Sequence, residues 1–286
     1  MKLKILDNKA TEKGNKELPS VFYEAVRPDI IKKSVEALQA NARQPYGADP
    51  MAGKRVSAQL SKRRRDYRGC YGHGISRVPR KIMSRNGTRM NWRGAFAPGT
   101  VGGRKAHPPK AEKNWTKKIN KKENRKAIRS AIAATLIKDL VKQRGHEIPE
   151  KYPFIISNDF ETITKTKDVY DALMKLGFEK EIERASEKTF RAGIARLRGR
   201  KYRKRKGPLF VVSKKCALIK AAANIAGVET VLVNELNTEL LAPGCVPGRL
   251  TLFSEAAIER LEKENLFQHG GVTAPAPKKT EKKAAK

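Results

Sequence analysis

The chain has 286 residues and carries 63 Lys and Arg against 29 Asp and Glu, a formal net charge of +34. That excess is far beyond what solubility requires, and it makes nucleic acid the first partner to consider. The three cysteines, Cys70, Cys216 and Cys245, are odd in number and far apart, which argues against a disulfide framework and fits a reducing compartment, the cytosol by default. Residues 1–10 hold no apolar run of signal-peptide length, and no stretch of about eighteen apolar residues could span a bilayer, so no membrane association is expected.

Residues 2–6 alternate like a short strand, and from Pro28 the apolar positions Ile30, Ile31, Val35 and Leu38 fall at helical spacing. This helix leads into residues 44–113, which hold seventeen Lys or Arg, three acids (Asp49, Asp66, Glu112), ten Gly, six Pro and six Ile, Leu or Val. So little apolar surface cannot offset the ~1–2 kcal/mol per residue that backbone ordering costs. The segment is expected to be unordered when free and to order on a polyanion, with rings at Tyr46, Tyr67, Tyr71, Trp92 and Phe96 interleaved among the cations. A large structured RNA is the natural candidate.

Beyond the basic segment, Ile128, Ile132, Leu136 and Leu140 recur every fourth residue and predict one helix over 121–144, ended by Gly145. A strand and helix rhythm follows. Residues 154–157 read as extended, and 167–176 as a helix capped by Thr166 and stopped by Gly177. Residues 179–197 are helical in part, and 196–206 place eight cations in eleven residues, a second polyanion contact because so dense a run repels itself unless anions neutralise it. Strands over 209–213, 230–233 and 249–253 alternate with helices over 214–225 and 236–241 and with one that starts after Ser254 as N-cap and reaches about 264. The pattern predicts an α/β fold, a three-layer domain with a mostly parallel sheet. Its organisation is expected to be a discontinuous globular domain (1–43 and 114–266), an extended RNA-binding loop (44–113) and a flexible basic tail (267–286).

Several motifs have a plainer reading beside the functional one. Cys70 and His73 have CxxH spacing, but a tetrahedral metal site needs two more ligands and none is near in sequence, so no metal is expected. Residues 99–105 (GTVGGRK) lack the spacing of a phosphate loop and follow no buried strand. Asp159 and Glu161 have no partnered His or nucleophile, and read as helix capping or a loop turn. Cys216 and Cys245 read as packing residues. Tyr71, Trp92 and Phe96 either stack on unpaired bases or pack against protein.

Particular words then occur in order: RVPR at 77–80, GAFAPG at 94–99, HPPK at 107–110, SAIAAT at 130–135, KYRKRKGPLFVVS at 201–213 and LLAPGCVPGRLT at 240–251. In these the chain resembles the family of large-subunit ribosomal protein four, in its archaeal and eukaryotic form, over residues 21–266. The resemblance implies an α/β domain on the outside of the large subunit, with the loop passing through rRNA to the wall of the nascent-peptide exit tunnel beside a neighbouring ribosomal protein. An out-and-back loop of about 35 residues per arm reaches up to roughly 115 Å at ~3.3 Å per residue, enough to cross much rRNA. Arg77, Pro79 and Arg80 match the RVPR word on the tip side, and Arg104, Lys105, His107 and Lys110 lie in the returning arm. Gly69, Gly72 and Gly74 (GCYGHG) stand where relatives have a Gly-rich turn of different spelling, which leaves open the side chain that faces the tunnel.

The expected function is that of a structural, non-enzymatic constituent of the large ribosomal subunit, cytoplasmic, without cofactor and without homo-oligomer. Its expected partners are large-subunit rRNA, neighbouring ribosomal proteins and the nascent peptide. The RNA-contacting residues are expected to be Lys54, Arg55, Lys62, Arg63, Arg64, Arg65, Arg68, Tyr71, His73, Arg77, Arg80, Lys81, Arg85, Arg89, Trp92, Arg93, Arg104, Lys105, His107 and Lys110 in the loop. In the second cluster they are Arg196, Arg198, Arg200, Lys201, Arg203, Lys204, Arg205 and Lys206. The rival readings are an RNA-modifying enzyme with a cofactor at the sheet's switch point, disfavoured by the missing glycine-rich strand-to-helix turn, and a free regulator binding its own messenger RNA, known among some relatives of the family.

Overall fold

The computed structural model describes residues 1–268, so the expected basic tail lies, from residue 269 on, outside the described residues. Two compact units are present: Met1–Asn41 together with the chain from Thr116 onward, and Ala42–Trp115. In chain order the elements are β1 (Lys2–Leu6), β2 (Glu12–Glu17), α1 (Pro28–Asn41), β3 (Arg80–Asn86), β4 (Arg89–Gly94), α2 (Lys121–Thr135), α3 (Lys138–Gln143), β5 (Ile155–Ile156), α4 (Thr166–Lys175), α5 (Glu179–Ser186), β6 (Lys188–Phe190), α6 (Ile194–Leu197), β7 (Tyr202–Lys204), β8 (Leu209–Val212), α7 (Leu218–Ala222), β9 (Glu229–Leu232), α8 (Thr238–Leu241), β10 (Thr251–Ser254) and α9 (Glu255–Lys263).

The first unit is a six-stranded sheet in the order β2-β1-β5-β10-β8-β9. Every pairing is parallel except β1 with β2. Strand alternation sends Ile5, Ile155, Leu209, Val211 and Phe253 to one face, against Ile31 and Val35 of α1, Ile128 and Ile132 of α2, and Ile258 of α9. Leu6, Ile156, Phe210, Val212 and Leu252 face the other way, against Val169 and Leu173 of α4, Ile182 of α5 and Leu218 of α7. Apolar residues on both faces of short strands demand a helical layer on each side, which makes the three-layer α/β domain. The edge strand β2 (EKGNKE) is polar throughout and carries lysines, a composition that blunts further strand pairing.

Three local expectations change. The helix over 121–144 is broken into α2 and α3, with Ile137 extended between them. At the break the Thr135 hydroxyl donates to the Ile132 carbonyl at 2.7 Å, and the Thr135 carbonyl accepts from the buried Tyr152 hydroxyl, so tertiary bonding replaces the next helical turn. Thr166 is the first residue of α4 and not its cap; Lys165 stands in that place, with no side-chain bond. The helix over 214–225 shrinks to the five residues of α7. Residues 179–197 are helical in part, as expected, in α5 and α6, and the stretch between them forms β6, which pairs antiparallel with β7.

The stop signals act as their chemistry requires. Gly145 (φ +88°) and Gly177 (φ +83°) take the left-handed conformation. After each, paired N–H bonds run back to the preceding helix, His146 to Val141 and Gly145 to Lys142, then Phe178 to Leu173 and Gly177 to Met174. Ser254 caps α9 by accepting from the Ala257 N–H at 3.2 Å, and Asn237 caps α8 by accepting from Leu240 at 2.8 Å.

Candidate nucleic-acid interface

The unit Ala42–Trp115 is more ordered than its composition suggests. The hairpin β3–β4 turns at Gly87-Thr88, where Gly87 has φ +58°. A glycine at the first position of a two-residue hairpin loop supplies the positive φ that such a turn needs, yet the charge of the flanking residues hides the strand alternation. Isolated bridges join Gln59 to Arg80 and Ser61 to Gly69, and Cys70 and Ala95 are buried beneath them. At the base, outgoing and returning chains lie in direct contact: a Cβ on Gly47 would meet the Ala111 nitrogen at 2.4 Å, and one on Gly53 would meet the Arg104 nitrogen at 2.5 Å. Only glycine permits that approach.

This framework displays charge. Of the twenty loop residues expected to touch RNA, Arg80, Lys81, Trp92 and Arg104 are half-buried and the other sixteen are exposed. Among the described residues, the one salt bridge within the unit joins Arg55 to Asp49, so the remaining cations are not neutralised by acids of their own unit. Rings and cations are interleaved: Arg80 lies over Trp92 (6.0 Å to the ring centroid), Arg85 over Tyr67 (5.2 Å) and Arg104 over Phe96 (5.5 Å). Arg63, Arg65, Tyr71, His73, Arg89 and Trp92, spread over thirty residues, come together around one cleft.

Sequence reasoning missed a cluster at the base of the unit. Trp115 has Arg43 (3.7 Å) and Lys113 (4.2 Å) over its ring and stacks on Tyr46 (5.7 Å, 18° between planes). Arg43 and Tyr46 are about seventy residues away in sequence, and the one available signal was an aromatic residue next to a basic run.

The second cluster belongs to the excursion β6–α6–β7. Residues 188–206 hold ten Lys or Arg and no acid, and all eight cations from Arg196 to Lys206 are exposed. Phe190, which sequence reasoning did not single out, packs on Tyr202 at 5.2 Å with Arg196 and Lys201 over its ring. A buried polar network fastens the base of the excursion. Arg184 donates to the Lys206 carbonyl at 2.8 Å and to both oxygens of Glu181, while Arg249, fully buried, donates to the Gly207 carbonyl at 3.1 Å and to Glu229 at 2.7 Å. Lys206 also meets Glu229.

His146 Nδ1 lies 2.7 Å from Glu181, and since a carboxylate only accepts, the imidazole donates there. Burial lowers the His146 pKa, and the opposing pull of Glu181 does not restore it. Burial also raises Glu181, but bonds from Arg184 and His146 outweigh that and hold its carboxyl below the ordinary value. The buried pair is therefore ionised glutamate with neutral imidazole near neutral pH.

Among the described residues, no group of three or more His, Cys, Asp or Glu stands close enough to hold a metal ion. Glu161 corrects an expectation. It is neither a helix cap nor a turn residue but a buried brace, accepting from the Ser213 N–H (2.9 Å), the Ser213 hydroxyl (2.8 Å) and the Ser254 hydroxyl, so that it ties the ends of β8 and β10 together. Asp159 pairs with Lys13.

The family model of the "Ribosomal protein L4/L1 family" matches residues 16–264. The chain belongs to that family. It is 50% identical over 268 residues to a protein of Nanoarchaeum equitans named "Large ribosomal subunit protein uL4", a match spanning 93% of this chain and 100% of that protein. Proteins of the same name from Archaeoglobus fulgidus and Halobacterium salinarum are 47% and 43% identical, each over 91% of this chain and 98% and 99% of theirs. Both cationic clusters and the strands β5, β8, β9 and β10 lie inside the family match, whereas β1 and most of β2 precede it.

Proposed function

We propose that this family member is a structural, non-enzymatic constituent of the large ribosomal subunit that binds large-subunit rRNA through the loop and the excursion. The observation that carries the reading is the uncompensated charge of the loop within a chain of this family: seventeen Lys or Arg over residues 44–113 against one internal salt bridge among the described residues. Each phosphate such a surface neutralises releases counterions, and the Gly and Pro positions let the backbone follow crowded grooves. The twenty-eight residues named above are the contacts, the rings stacking on unpaired bases and the cations meeting phosphates. The domain boundaries at residues 43/44 and 113/114 belong to the same proposal.

A cytoplasmic location in the ribosome follows from this reading. The loop lines part of the nascent-polypeptide exit tunnel, with neighbouring large-subunit proteins and the nascent chain as its further partners. Binding of the purified chain to large-subunit rRNA in excess unrelated duplex RNA tests the core of the proposal. A complex that survives physiological salt and the competitor is expected; equal affinity for both RNAs would overturn it. A photo-crosslinker at His73 in ribosomes bearing stalled nascent chains tests the tunnel contact.

A further inference from the structure

The cleft in the unit Ala42–Trp115 has a volume of about 720 Å³, in the range of about 300–1,000 Å³ typical of small-molecule sites. Its walls carry three rings, Tyr67, Tyr71 and Trp92, and three arginines, Arg63, Arg65 and Arg89, against a single acid, Asp66. The Asp66 carboxylate already accepts from the Tyr67 N–H at 2.8 Å. Tyr67 and Trp92 each have a guanidinium over the ring, Arg85 at 5.2 Å and Arg80 at 6.0 Å, and neither of those arginines lines the cleft. The cations outside the cleft thus hold the rings while other cations face into it.

Flat apolar surfaces beside net positive charge in one concavity suit a ligand with a planar base and a phosphate on either side of it. We infer that this cleft receives a single everted nucleotide of RNA, its base stacked on the rings of Tyr71 and Trp92 and its flanking phosphates met by Arg63, Arg65 and Arg89. The inference rests on the RNA-binding reading above and sharpens it: the loop recognises an unpaired nucleotide by shape, where a solvated cationic surface would read charge alone. An apolar peptide segment would use the rings but would leave three arginines facing no anion.

The test uses the full chain and an RNA hairpin with one bulged 2-aminopurine nucleotide, compared with the same hairpin fully paired. Stacking in the cleft quenches the 2-aminopurine emission, and the bulged RNA binds about tenfold more tightly than the paired one, the equivalent of one stacked base. Trp92→Leu and, separately, the exposed Tyr71→Leu abolish that preference, bringing the affinity for the bulged hairpin down to that for the paired one. Trp92→Phe restores it, which separates loss of the ring from loss of the fold. Steep, salt-dependent binding with equal affinity for both hairpins would overturn the cleft assignment and leave the broader reading standing. Weak, salt-insensitive binding to both would overturn the two together. Displacement of the bulged RNA by an uncharged aromatic peptide at lower concentration than by single-stranded RNA would assign the cleft to a peptide and overturn the inference.

Discussion

Arg249 is the largest fully buried side chain of the described residues, and it holds together parts of the chain distant in sequence: the Gly207 and Leu240 carbonyls and the Glu229 carboxylate. Removing such a charge leaves its partners buried and unpaired. Arg249→Met is expected to lower stability by about 3–5 kcal/mol, read as a lower urea midpoint with unchanged slope. The pair His146–Glu181 gives a pH dependence with a definite sign. Because the folded-state pKa of His146 is depressed, the unfolded chain binds more protons as pH falls below about 6.5, and stability drops from there until the folded pKa is passed. The depressed Glu181 contributes stability that is present above the ordinary glutamate range and lost as pH falls through its folded pKa. Urea midpoints should therefore fall between pH 7 and pH 5, and His146→Gln should flatten that upper part of the profile while leaving the acid limb. An unchanged slope in the variant would remove His146 from the account. Neither Arg249 nor Glu161 was legible as a structural brace in the sequence, since each finds its partners through tertiary contacts that no local pattern encodes.

The elements divide by the kind of signal that makes them. α1, α9, β1 and the strands β5, β8 and β10 were legible from apolar period or apolar runs, with the Ser254 cap marking the start of α9. The break between α2 and α3 was not, because the apolar repeat runs straight through it while Tyr152 takes the Thr135 carbonyl. β3, β4, β6 and β7 were hidden for a different reason: their residues are mostly exposed and eight of the nineteen are cations, and strand alternation is hard to see without a continuous apolar face. The close approach at Gly53 (φ +71°) gives a prediction at this scale. Gly53→Ala adds a Cβ at a left-handed position, at a cost of about 1–2 kcal/mol, and pushes it against the Arg104 backbone. Trypsin should then cut within residues 42–115 markedly faster, while the cooperative unfolding of the α/β unit stays unchanged; equal cleavage rates would mean that the two chains do not rely on this contact.

At the scale of the whole molecule, two kinds of order coexist in one chain. The α/β unit is held by a dry core on both faces of its sheet, whereas the unit Ala42–Trp115 buries few apolar side chains and relies on a hairpin, glycine contacts and ring–cation pairs. Deleting residues 64–104 is therefore expected to leave a chain that unfolds cooperatively, since every residue of the two hydrophobic clusters lies outside the deletion. Loss of cooperativity would refute the proposed boundaries. Fold class and the general place of both cationic clusters were legible from composition and pattern; the cleft and the Trp115 cluster were not, because they join residues that only the folded loop brings together. The central claim, that the loop is the principal anchor on rRNA, is tested most directly by measuring affinity for large-subunit rRNA across a salt series, full chain against the 64–104 deletion. The account predicts a steep fall of log affinity with log salt for the full chain and a slope smaller by several units for the deletion, at ~0.7–0.9 for each phosphate that the shortened chain no longer neutralises. Equal slopes would contradict it, and would move recognition to the α/β unit and its excursion over residues 188–206.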